Sequence, residues 1–134
     1  MKEDESEILE DAKIVCNSLK KYGFSRYAAT RPIHIISSAI IEAKKAGLKE
    51  DTLIKYATNR VLLLSSREIG REIKKEEKEK RKELKEQTYR NVKKLVKRMC
   101  TYFKDHEFKK FILLTRYLSD SIYVDVEFGG ERGE

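Results

Sequence analysis

The sequence predicts an all-α fold: a single-domain bundle of about five helices with a long charged helical segment. Three observations predict it. Helix breakers are scarce, with one Pro and six Gly in 134 residues, and three of the Gly fall within the last six. Charged residues make up 40% and the mean hydropathy is −0.66, in a composition dominated by the helix formers Lys, Glu, Leu and Ile. Apolar residues recur at three- and four-residue steps through most of the chain. At this length one modest core is expected.

The first helix is expected from Ser6 to about Lys21. Ile8, Leu9, Ala12, Val15, Cys16 and Leu19 make one apolar face. Gly23 is a natural stop, followed by a loop that carries Phe24 and Tyr27. The second helix is expected from about Arg31 to Ala46. Thr30 is a good N-cap, Pro32 costs nothing in the first turn, and Gly47 ends the helix. Ile33, Ile36, Ile40 and Ala43 share its inner face.

The third helix starts near Glu50 and reaches at least Ile73. Leu53, Ala57, Val61 and Leu64 face inward, and the run Val61-Leu62-Leu63-Leu64 is apolar nearly all round. It should therefore be the most buried helix, with Gly70 as its one interruption. Residues 74–87 fit two readings: a solvated helix held by Glu/Lys pairs, or a mobile charged segment. The fourth helix runs from about Thr88 to Phe103, with Val92, Leu95, Val96, Met99, Tyr102 and Phe103 inward. Asp105 can cap the fifth, which should bury Phe108, Phe111, Ile112, Leu114, Leu118 and Ile122. Residues 121–128, Ser-Ile-Tyr-Val-Asp-Val-Glu-Phe, alternate apolar and polar and admit a short strand instead. Residues 1–5 and 129–134 are expected to fray.

Charge is unevenly distributed. The whole chain sums to +7 with a pI near 9.3. Lys74 to Arg98 holds twelve Lys or Arg against five Glu, again +7, so the remainder is neutral. A basic protein of this kind makes nucleic acid the first partner to consider. No window approaches 18 apolar residues, so no membrane span and no membrane partner are expected. The acidic start lacks the apolar core of a signal peptide, and Cys16 and Cys100 fit reduced core thiols, which together point to a cytoplasmic protein.

Catalytic and metal chemistry find little support. Cys16, His34, Cys100 and His106 are far apart, while zinc needs about four ligands at helical or knuckle spacing. Asp105-His106 resembles the core of a metal phosphohydrolase motif but lacks the further His and Asp that motif needs. It reads more simply as a helix cap beside a surface His. His34 reads as a polar-face or interface residue. There is no Gly-rich phosphate loop and no nucleophile elbow. No enzyme, cofactor or metal site is expected.

The basic residues outside the charge run carry more information. Arg26 and Arg31 flank the start of the second helix, and Lys55, Arg60, Arg67 and Arg71 lie along the third. Arg60 and Arg67 are two turns apart and share a face, about 10 Å from one another along the axis. Arginine grips phosphate through two N–H groups and stacks on unpaired bases. A solvated face paired with Glu68 and Glu72 is the plain alternative, and charge alone does not separate RNA from DNA.

Three segments look familiar. Ala29-Thr30-Arg31-Pro32-Ile33-His34-Ile35 is similar to a Thr-rich turn leading into an amphipathic helix. Tyr56, Arg60 and Arg67 match a central-helix pattern of Tyr-Leu-Lys-x-basic-aromatic followed by Gly-Arg, with Thr58 in place of Lys and Ser66 in place of Gly. Phe111, Arg116-Tyr117 and Ile122-Tyr123 match a last helix in which Ser119-Asp120 replaces Glu-Ala. In these segments, over residues 27–128, the chain resembles the small helical subunit of type III-A (Csm-type) CRISPR interference complexes. Its charged stretch 74–88 is longer than that family's usual link.

The resemblance implies a non-catalytic role in antiviral defence. Copies of the small subunit would line up along the crRNA-bearing backbone subunits, near a large polymerase-like subunit. They would hold the target single-stranded RNA, while other subunits cut. By register Arg60 and Arg67 would face RNA, and Arg31 and Arg116 would join them as RNA-binding residues; the helical reading above adds Lys55 and Arg71 to the candidate set. Two other classes stay open: a basic DNA-binding, viral or nucleoid protein using residues 74–98, and a purely structural scaffold.

Overall fold

The computed structural model describes the backbone of residues 2–20, 29–73 and 78–129, and the side chains of 4–19, 29–63, 80, 82–83 and 85–128. Five α-helices follow one another: α1 Lys2–Lys20, α2 Arg31–Lys45, α3 Glu50–Ile73, α4 Lys78–Asp105 and α5 Phe108–Val124. A single π-helical turn, Asp125–Gly129, continues α5. There is no strand among the described residues. Residues 21–28, with most of the expected loop, residues 74–77 and the tail 130–134 lie outside the described residues, as do the side chains of Leu64, Ser65, Ser66 and Leu84.

The periodic apolar faces meet as predicted. α2 packs along α3, and α4 lies against both α1 and α3. α5 crosses α2 and α1. One core results, built from Ile8, Ala12, Val15 and Leu19 of α1, Ile33, Ile36 and Ile40 of α2, and Leu53, Ala57 and Val61 of α3. Val92, Leu95, Val96 and Met99 of α4 and Phe111, Leu114, Leu118 and Ile122 of α5 complete it. Each large aliphatic side chain taken from water here contributes about 1.5–3 kcal/mol. Phe103 meets Phe111 edge to face at 4.8 Å between ring centroids. Cys16 and Cys100 are free thiols in this core, and burial pushes both up to about 12, so they stay protonated at neutral pH.

α2 ends at Gly47 for a reason that can be read bond by bond. The Gly47 N–H donates to Lys44 O and the Leu48 N–H to Ala43 O, each at 3.0 Å. This is a Schellman motif, and it requires the left-handed backbone that Gly47 adopts at φ +76°. The turn is only four residues long, so α2 and α3 form a tight helical hairpin.

Several elements depart from expectation. α1 begins at Lys2 rather than Ser6, because its acidic first turns have partners on α4. Arg98 pairs with both Glu7 and Asp11, Lys94 reaches Asp11 at 3.6 Å, and the Tyr102 phenol donates to Glu5 at 2.9 Å. α4 begins at Lys78, so the charged segment is helical from there, and its described side chains before Thr88 are all exposed. α3 runs unbroken through Gly70, yet it is not buried all round, since Leu63 is 65% exposed. Residues 121–128 are helical, not extended, and Val126 turns back onto the core. Phe108 and Ile112 lie outward because α5 meets the bundle along one side only, with Phe111, Leu114 and Leu118 on it. Asp105 is the last residue of α4, and Glu107 stands at the N-cap of α5 without a side-chain cap bond. Thr30 holds the N-cap position of α2, also without one.

Candidate nucleic-acid interface

The α2–α3 hairpin brings together two of the predicted arginines. Arg31 opens α2 and Arg60 lies in the middle of α3, yet both line one cavity of about 280 Å³. His34, Ile35, Ser38, Ala39 and Glu42 complete its wall. Glu42, the carboxylate of this cavity, is occupied: the Tyr56 phenol donates to it at 3.0 Å. That hydrogen bond raises the Tyr56 pKa, with the charge of Glu42 adding to it. Arg31 and Arg60 are exposed and have no ion-pair partner among the described residues.

A second cavity of about 430 Å³ opens where α2 meets α5. Thr30, His34, Ile112, Thr115, Arg116, Ser119, Asp120 and Tyr123 line it. His34 therefore belongs to both cavities, and its Nε2 lies 3.1 Å from the Ser119 hydroxyl. Beneath this pair the two helices are joined by buried hydroxyls. Thr115 spends its one proton on Phe111 O at 3.1 Å, so Ser37 donates to Thr115 across 2.9 Å. These bonds fix the spacing of α2 and α5 and hold the two cavities side by side. Arg116 and Asp120, one turn apart on α5, are exposed and make no ion pair among the described residues.

Three of the six expected basic residues, Arg31, Arg60 and Arg116, thus gather around His34. Set against Glu42 and Asp120 they leave a local charge of +1 with His34 neutral. Lys55 is exposed but lines neither cavity, since it sits about 140° around α3 from Arg60. The side chains of Arg67 and Arg71 lie outside the described residues. The backbone that carries them is continuous helix, so Arg67 stays two turns beyond Arg60.

A third cavity, of about 330 Å³, lies between α1 and α4 and includes Lys97, Arg98, Tyr102, Asp105 and His106. Its polar groups are largely committed to structure. Arg98 is held by Glu7 and Asp11, and the hydrogen bond to Glu7 raises its pKa further. His106 stacks on Tyr102 at 3.9 Å between centroids, and its Nδ1 lies 3.0 Å from Tyr102 O. It packs against the end of α4 rather than following a cap as a free surface residue. Among the described residues no three His, Cys, Asp or Glu side chains are grouped to hold a metal ion. No described helix is long and apolar enough to cross a membrane.

Ser119, Asp120 and Tyr123 were not among the expected site residues, and His34 was expected only at a polar face or interface. A signal did exist on α5. Ile112, Arg116, Ser119 and Tyr123 are spaced by four, three and four residues, a single helical stripe. No protein-family model, curated protein or solved structure matches this chain.

Proposed function

We propose that the chain is a non-catalytic RNA-binding subunit of a type III CRISPR ribonucleoprotein. One observation carries the reading: Arg31, Arg60 and Arg116, drawn from three helices, surround His34 without carboxylate partners among the described residues. Guanidiniums without an ion pair among the described residues suit phosphate, which an arginine can grip through parallel N–H bonds. Tyr56 supports the reading by engaging Glu42, which would otherwise compete for those arginines. Thr58 is a point against close similarity to the family pattern. It stands where the family has Lys, and it is buried at 1% exposure, where a lysine would not sit. In this role the chain would bind target RNA beside crRNA-bearing backbone subunits, a large polymerase-like subunit and further copies of itself.

The grip is electrostatic and reads shape along most of the strand. Labelled single-stranded RNA, titrated with the full chain across a salt series, tests it by fluorescence anisotropy. Affinity should fall on a log–log plot with a slope of about −0.7 per neutralised phosphate. Arg31→Ala/Arg60→Ala should weaken binding to all sequences and flatten the slope by about 1.4. A double variant of wild-type affinity, or a preference for duplex DNA over single-stranded RNA, would overturn the reading.

A further inference from the structure

The two cavities that share His34 differ in character. The α2–α3 cavity offers two guanidiniums and suits a phosphate. The α2–α5 cavity offers a guanidinium, a carboxylate and a large exposed aromatic ring, since Tyr123 is 47% exposed and stacks on no other ring among the described residues. Helical side chains lean toward the N-terminus of their helix, so Tyr123 reaches back over the turn that carries Asp120. A flat π face next to one hydrogen-bond donor group and one acceptor group is a setting for an unstacked nucleobase.

The pairing of Arg116 with Asp120 selects among the bases. A carboxylate only accepts hydrogen bonds and a guanidinium only donates them. Adenine and cytosine each present a carboxylate with one amino group, and uracil with one ring N–H. Guanine alone presents two adjacent donors, N1–H and the N2 amino group, with O6 and N7 as acceptors on the neighbouring edge. We propose that the paired cavities take one unpaired guanine nucleotide, its phosphate between Arg31 and Arg60 and its base against Tyr123. Asp120 accepts from N1–H and N2–H, and Arg116 donates to O6 or N7. This rests on the RNA-binding reading above and adds one base-reading position to an otherwise sequence-indifferent surface.

The experiment compares three single-stranded RNAs by anisotropy at low salt: oligouridine, the same strand with one central guanine, and the same strand with one central adenine. The guanine strand should bind about tenfold tighter than oligouridine, the scale of a two-bond base contact. Asp120→Asn, with helicity checked by circular dichroism, should bring the guanine-to-uridine affinity ratio to about one. Arg31→Ala/Arg60→Ala should weaken all three strands alike. An adenine strand as tight as the guanine strand overturns the guanine assignment, as does an unchanged ratio in Asp120→Asn. Equal, salt-sensitive binding of all three overturns the base site and leaves the phosphate grip standing. Absence of salt-sensitive binding to any strand overturns both.

Discussion

At the scale of single residues, Thr58 is the most exposed to test. Its side chain is buried on α3, and its hydroxyl has no hydrogen-bond partner among the described residues. A buried hydroxyl without a partner keeps its desolvation cost and gains nothing back. Thr58→Val keeps the branched shape and removes that cost. It should raise the urea midpoint by the equivalent of about 1 kcal/mol, and a lowered midpoint would show that the hydroxyl has a partner after all. The arginines were legible one by one because exposed basic residues on a helix declare themselves in sequence. His34 and Ser119 were not, because their contact joins residues 85 apart and depends on how α2 crosses α5.

At the scale of elements, helix periodicity carried most of the reading. Among the described side chains, the apolar faces of the five helices are the faces the spacing marked, with Phe108 and Ile112 as the exceptions on α5. Misreadings fell where stabilisation comes from another element. Residues 2–5 look too polar to hold a helix, but Glu5 and Glu7 are held by Tyr102 and Arg98 across more than ninety residues of sequence. The alternation at 121–128 suggests a strand only until Val126 is seen against the core. Arg98 organises the α1–α4 seam, because it serves Asp11, whose side chain is only 9% exposed. Arg98→Ala leaves that carboxylate with Lys94 alone and should cost about 2 kcal/mol in chemical denaturation. Asp11→Ala/Arg98→Ala should cost less than the two single losses added together, a coupling that a double-mutant cycle reads directly.

At the scale of the whole molecule, net charge is a poor guide to where arginines gather around a cavity. The stretch Lys74 to Arg98 holds +7, yet its Lys94 and Arg98 serve the α1–α4 seam. The arginines around His34, which have no ion pair among the described residues, lie outside it. Charge counting finds where cations are many, whereas a binding surface is made where cations lack partners. The two cavities that share His34 are also mounted differently. Arg31 and Arg60 belong to consecutive helices, while Arg116 arrives from the far end of the chain.

The four-residue turn at Gly47 therefore has a kinetic consequence. Closing α2 onto α3 costs little chain entropy, whereas bringing α1 to α4 or α5 to α2 must close loops of more than fifty residues. Contacts close in sequence are expected to form first, which would bring Arg31 and Arg60 together in the nucleus and leave the α1 seam to condense onto it later. Core truncations such as Ile40→Val and Val61→Ala should slow refolding with φ-values above those of Val15→Ala on α1. Higher values on α1 would reverse that order of assembly.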